Sequence, residues 1–248
     1  MLIIVVVLGI FYPTIFSEIS LLDDIDMVKC LFNLDKLDIR ELFFPRNHQG
    51  GYYRPLIGVS FLIDKFVWGL ESKIMHFENI LLHLINTLLV FWLASLLINQ
   101  RDGRNRYLPL VASLFFSLNP IVTESVNWIS GRTDILAGVF VLLSAVCIIY
   151  FRKKRSYYLL VGSATFIFAG SLAKETVLGF IPAALLLLLC KDISSSEEGE
   201  ENQFFAPIDL IYYLVFSSIA IISAIYFYNY WLVLGIGGAY LLMLSRVY

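Results

Sequence analysis

Residues 74–98 read IMHFENILLHLINTLLVFWLASLLI, and Glu78 is the one carboxylate or strong base among them. About 20 apolar residues in a helix cross the roughly 30 Å hydrocarbon core of a bilayer. This segment is therefore a membrane-crossing helix. At about 100° per residue, His76, Asn79, His83 and Asn86 fall within roughly 80° of one another, so the span carries a polar stripe down one face. Interhelical hydrogen bonding is the preferred reading for the deeper His83 and Asn86, and His76, at the outer end, is the better candidate for a site.

Composition extends that conclusion to the whole chain. Of its 248 residues, 59% are hydrophobic and 15% charged, with a mean hydropathy of +0.79. A soluble domain carries roughly a quarter charged residues. Hydrophobic segments recur at about 1–16, 54–70, 74–98, 107–119, 133–151, 156–172, 176–190 and 207–245, the last long enough for a hairpin. The expected fold is all-α: a polytopic transmembrane helix bundle of about seven to nine spans, forming a single integral-membrane domain over 1–248. Residues 1–16, with no basic n-region or cleavage site, read as a first span rather than a signal peptide. Segment 54–70 places Asp64 and Lys65 in its middle, which a spanning helix rarely tolerates. It is expected to lie in the interface, with Pro55 in its first turn. Cys30, Cys147 and Cys190 have no metal-ligand or disulfide spacing, and no nucleic-acid partner is expected.

Loop charges set an orientation. NQRDGRNR (99–106) and FRKKR (151–155) are rich in Lys and Arg, which places both on the cytoplasmic side. The acidic, Ser-rich loop at 191–206 falls on that side too. Loop 17–72, segment 119–132 and SLAKET (171–176) then lie outside. Nearly all other polar clusters share that outer face: LLDDID (21–26), GGYYRPL (50–56), KIMHFEN (73–79), NPIVTESVNWISGRTD (119–134) and SLAKET. Five clusters on one face point to a water-accessible cavity at the outer helix ends.

Each cluster also has a plainer reading. Asp23, Asp24 and Asp26 could cap a short helix, and Asp24-Ile-Asp26 spells a DxD pattern too short to assign a metal. Asn119-Pro120 ends one span. Thr133 or Asp134 could cap the next helix, leaving Arg132 and Glu124 as a salt bridge. That account leaves unexplained why Lys174-Glu175 repeats the basic-acidic pairing at the same level.

In their order along the chain, GYYRPL (51–56), HFENILLHLINTLLVFWLA (76–94), LFFSLNPIVTESVNWISGRTDILA (114–137) and SLAKET resemble the membrane domain of the transmembrane and tetratricopeptide-repeat O-mannosyltransferases and their prokaryotic relatives. These belong to the GT-C superfamily of polytopic glycosyltransferases. The resemblance covers about residues 1–180 and implies inverting transfer of a sugar, mannose in the best-known members. The donor would be a polyprenyl- or dolichyl-phosphate sugar, and the acceptor a hydroxyl of a protein or glycan. Transfer would occur at the extracytoplasmic or lumenal face of a plasma or endoplasmic reticulum membrane. It implies a carboxylate base after the first span, here Asp24 with Asp23 as competitor, and an acidic residue in the second outer loop, here Glu124, to position the acceptor or hold an arginine. Arg132, Arg54 and Lys174 are the cations expected to bind the donor phosphate. His76, Asn79, Asp134 and Glu175 are expected to support the site or meet the acceptor, with Asp134 and Glu175 orienting Arg132 and Lys174. No cofactor or metal is expected to be required.

Two other classes fit parts of the sequence. A lipid-linked sugar transporter would gather charges at the midplane with broken helices and inverted repeats, and neither is evident. A noncatalytic scaffold, or a truncated remnant of a transferase, would keep the fold without the chemistry. Relatives generally have more spans, and they often place His where this chain has Asn119.

Overall fold

A computed structural model describes residues 1–20, 24, 39–43, 53–98 and 105–189. Asp23, Asp26, the acidic segment 191–206 and the hydrophobic segment 207–245, expected as a hairpin, lie outside them. Every described element is helical. In chain order these are α1 (Leu2–Phe11), a 3₁₀ turn (Tyr12–Phe16), α2 (Ile39–Phe43), α3 (Pro55–Trp68), α4 (Ser72–Leu97), α5 (Leu108–Ser117) and α6 (Pro120–Asn127). They are followed by α7 (Arg132–Lys154), α8 (Tyr157–Ser171), a 3₁₀ segment (Glu175–Phe180) and α9 (Ile181–Leu189).

Helices α4 and α7, of 26 and 23 residues, are long and apolar enough to cross a membrane. At 1.5 Å per residue they measure ~39 and ~35 Å. Segment 107–119, expected as one span, is instead a ten-residue helix that bends by 56° into α6. The cause is local: Pro120 opens α6, and the Asn119 side chain caps it by accepting the Ile121 N–H at 3.0 Å. If the bent pair counts as one span, the described residues hold three, and α1 with its 3₁₀ turn, α8 and the 175–188 segment are shorter apolar helices.

Helix α7 is the hub. It packs on α8, α4 and α9, burying Ala137, Ile148 and Phe151 against Ile167, Ile181 and Leu188. Helices α4 and α7 run in the same direction: Asn79 donates to the Trp128 carbonyl near their starts, and Lys153 to the Leu96 carbonyl near their ends. Helix α8 returns antiparallel to α7, held at mid-depth by a buried Ser144–Ser163 hydroxyl pair at 2.8 Å. Residues 54–79, 129–134 and 171–175 therefore gather at one end of the bundle, and Arg152 to Arg155 at the other.

Helix α3 lies across the first end. Its Leu56 N–H is taken up by the Leu172 carbonyl at the end of α8, and Ile57, Phe61 and Leu62 pack with Met75, Ile129 and Ala173. Gly69 (φ 74°) and Leu70 (φ 59°) then reverse the chain into α4. A left-handed leucine is unusual, and here its side chain is buried in that same core. The opposite face of α3 exposes Ile63, Phe66, Val67 and Trp68, the pattern of a helix that offers an apolar side to lipid.

The α6–α7 turn depends on one close approach. A Cβ on Gly131 would lie 2.2 Å from the Ser125 carbonyl oxygen and 2.7 Å from two further Ser125 backbone atoms, none of which a rotamer change can move. Gly131→Ala is expected to destabilise the detergent-solubilised protein by about 1–3 kcal/mol in thermal unfolding. Gly9→Ala, whose methyl group meets nothing within 4 Å, should not. Equal stabilities for the two variants would remove the contact from the account of this turn.

Candidate functional site

Two layers of charge occupy the end of the bundle where α4 and α7 begin. The inner layer is built on Arg132, the first residue of α7 and only 2% exposed. Its Nη1 meets Asp64 at 2.6 Å and its Nη2 meets Glu78 at 3.0 Å. Nε donates to the Asn79 side-chain oxygen at 3.1 Å, and Nη2 also reaches the Met75 carbonyl at 3.3 Å. The guanidinium carbon lies 4.6 Å from the centroid of Phe61. Four hydrogen bonds engage a group with five donors, and both carboxylates offset its charge.

This arrangement corrects three expectations. Arg132 is no surface ligand for a phosphate, because its donors are committed inside the protein. It does not pair with Glu124, which is exposed on α6 and forms no ion pair among the described residues. Nor is it oriented by Asp134, which bonds to Lys174 at 2.5 Å. Neither Thr133 nor Asp134 caps α7: Gly131 takes the N-cap position, and Thr133 bonds back to the Ser130 carbonyl.

The outer layer consists of two ion pairs, each with a shielded cation and an exposed carboxylate. Arg54 grips Glu175 through two bonds of 3.1 and 2.7 Å, and Lys174 holds Asp134. The Arg54 and Lys174 side chains are 15% and 20% exposed, against 52% and 46% for their partners. The Arg54 hydrogen bonds hold the Glu175 carboxyl below the usual carboxylate range, outweighing the opposing effect of burial. Glu175 thus partners Arg54 and not Lys174, the reverse of the assignment expected from chain order.

Asp24 stands beside both layers at 1% exposure. One carboxylate oxygen accepts the Ser130 N–H at 2.7 Å, and the other accepts the Ile129 and Ser20 N–H groups at 3.3 and 3.2 Å. The acid after the first hydrophobic segment is thereby fastened to the turn that launches α7. His76, one turn into α4, is 1% exposed, and neither ring nitrogen has a hydrogen-bond partner among the described residues.

Deeper along the α4 stripe, the interhelical role holds. His83 reaches the Ser117 carbonyl at 3.3 Å between the rings of Phe11 and Phe116, and Asn86 donates to the Ile135 carbonyl at 2.8 Å. Among the described residues, no group of three or more His, Cys, Asp or Glu is placed to hold a metal ion. Sequence reasoning missed the roles of Asp64 and Glu78. The signal was present: Asp64, an acid in mid-helix, and Arg132, a base at membrane level, each needed a partner of opposite sign.

Helices of this length around a buried polar end define an all-α membrane protein. Comparison with curated proteins gives the resemblance a specific form. Over 112 residues the chain is 38% identical to protein O-mannosyl-transferase TMTC2 of Homo sapiens, a match covering 44% of this chain and 13% of that protein. Over 152 residues it is 32% identical to protein O-mannosyl-transferase Tmtc1 of Drosophila melanogaster, covering 61% and 16%. Protein O-mannosyl-transferase TMTC3 of Homo sapiens is 26% identical over 152 residues, covering 59% and 15%. The chain therefore resembles the TMTC-type transferases while matching only a small part of their length. No family model and no solved structure matches it.

The inner layer makes a stability prediction. Arg132→Met leaves two carboxylates without their cation and is expected to cost on the order of 3–5 kcal/mol. Adding Asp64→Leu to Arg132→Met should cost clearly less than the sum of the two single changes, read from thermal unfolding in detergent. Strict additivity would show that the pair is not coupled.

Proposed function

We propose that this chain forms the sugar-transfer end of a lipid-phosphate-dependent protein O-mannosyltransferase. The carrying observation is the gathering of Asp24, Arg54 and Lys174 at one end of the bundle, in a chain that resembles proteins named as O-mannosyl-transferases. A polyprenyl- or dolichyl-phosphate mannose keeps its tail in the bilayer and its sugar phosphate at the surface, so its chemistry belongs at helix ends. A serine or threonine hydroxyl of the acceptor attacks the anomeric carbon while the bond from that carbon to the phosphate oxygen breaks, and the configuration inverts. Asp24 supplies the negative charge that favours loss of the hydroxyl proton.

The leaving lipid phosphate is already a stable anion, so it needs neutralisation more than protonation, and no metal is called for. Arg54 and Lys174 are the cations placed for this, with Glu175 and Asp134 as the carboxylates that hold them until the donor arrives. The N-terminal ends of α4 and α7 face the same way, adding partial positive charge. Glu124, exposed on α6, positions the acceptor, and Asn79 supports the site by fixing Arg132. Donor and acceptor meet on the extracytoplasmic or lumenal side. Among the described residues, the bent α5–α6 pair is the feature that a transporter reading would ask for. Its break exposes the apolar Leu118 and Ile121, whereas the charged groups gather at the end where α4 and α7 begin, which supports transfer.

Purified protein in nanodiscs, given polyprenyl-phosphate mannose and threonine-containing peptides, is expected to transfer mannose. Asp24→Asn should slow transfer about 10²–10⁴-fold, and Arg54→Gln or Lys174→Gln should raise the KM for the donor. Transfer that survives Asp24→Asn would sink the assignment of that residue, and no transfer with any donor would favour a noncatalytic scaffold. Orientation has its own check on a background without native cysteines. Glu124→Cys should react with a membrane-impermeant maleimide added from outside, and Arg106→Cys only from the cytoplasmic side. Labelling of both from one side would overturn the orientation.

A further inference from the structure

The strongest unmet polar demand at this end of the bundle is His76. Its ring is buried, and among the described residues neither nitrogen has a hydrogen-bond partner, while its neighbours are engaged: Asn79 by Trp128 and Arg132, His83 by Ser117. The Ser17 backbone approaches the ring without reaching hydrogen-bond geometry, and Asp24 and Arg132 are the charges that act on it. Asn86 Oδ1 is also without a partner among the described residues, but it lies about three turns further along α4, away from the charged end where α4 and α7 begin. Burying an imidazole without a hydrogen bond costs free energy, so a hydroxyl arriving at His76 would be bound by a group already desolvated for it.

We propose that His76 is a second catalytic group, whose ring nitrogen binds the acceptor hydroxyl and takes its proton. This rests on the transfer reading above and names the atom that reading leaves open. As the hydroxyl oxygen bonds to the anomeric carbon, its proton passes to His76. The electron pair of the broken carbon–oxygen bond leaves on the lipid phosphate, and the imidazolium later returns the proton to water.

Asp24 fits the part of counter-charge better than that of proton acceptor. Three backbone N–H groups occupy its carboxylate, while the imidazole nitrogens have no hydrogen-bond partner among the described residues. Its negative charge stabilises the imidazolium as it forms. Arg132 would oppose that charge, but Asp64 and Glu78 already offset it.

The test combines kinetics with a readout that needs no turnover. His76→Gln is expected to lower kcat about 10²–10⁴-fold with the donor KM unchanged, and to abolish an acid limb of the kcat profile that lies in the histidine range. A profile that titrates only in the carboxylate range, or a His76→Gln enzyme with unchanged kcat, would overturn the proposal. The chain has three histidines, His48, His76 and His83, so the ring ¹⁵N signals of His76 are identified by their loss in His76→Gln. A threonine peptide should shift those signals, and the same peptide with valine should not. If neither peptide shifts them, the proposal fails whether or not transfer is seen. If the threonine peptide shifts them but no transfer occurs with any donor, the hydroxyl site stands and the transfer reading falls.

Discussion

The ion pair between Arg132 and Asp64 is the constraint on which the rest of this end of the molecule depends. At 2.6 Å and nearly out of contact with solvent, neither charge can exist there alone. A guanidinium in a low-dielectric setting costs several kcal/mol unless its charge is offset and its donors are filled. Meeting that demand draws α3 over the start of α4 to deliver Asp64 and Phe61, and fixes α4 in rotation so that Asn79 and Glu78 face α7. The turn at 128–131 is then defined from both sides: Asn79 takes the Trp128 carbonyl, and Asp24 takes the Ile129 and Ser130 N–H groups. One buried cation thus sets the relative positions of Asp24 and His76.

The two ends of the bundle satisfy opposite backbone charges. Helices α4, α7 and α9 all terminate at the end that carries Arg152 to Arg155. Arg152 donates to the Leu187 carbonyl and Lys153 to the Leu96 carbonyl, so the basic run used to orient the chain also fills acceptors that helix C-termini leave open. The other end presents the starts of α4 and α7, and the groups collected there include Asp24, Asp134 and Glu175. A bundle polarised in this way favours anions at one end and cations at the other before any ligand is considered.

Much of this was legible in the sequence, and the boundary of legibility is physical. Apolar length identified α4 and α7, because the period and extent of a span are properties of contiguous residues. The stripe His76, Asn79, His83 and Asn86 was readable for the same reason, as was the helix break at Asn119-Pro120. Partner choice was not readable. Asp64 and Arg132 are 68 positions apart, and from sequence each was only a charge out of place. Adjacent residues proved equally misleading: Lys174 and Glu175 pair with Asp134 and Arg54 respectively, because successive positions entering a 3₁₀ segment point in different directions. The bend between α5 and α6 escaped because hydropathy runs on through Leu118 whether or not the axis does.

The exposure of their carboxylate partners separates the cation that holds the fold from the cations whose partners are exchangeable. Arg132 has the ideal shape for a phosphate, yet a phosphate would have to displace two carboxylates, an amide and a carbonyl to reach it. Arg54 and Lys174 keep their carboxylate partners half exposed. Ion pairs of that kind are worth about 0–1 kcal/mol, little enough for another anion to replace the carboxylate without disturbing a helix. The geometry therefore separates tasks that the sequence merges: Arg132 anchors the scaffold, and the two surface pairs keep exchangeable positive charge at its rim.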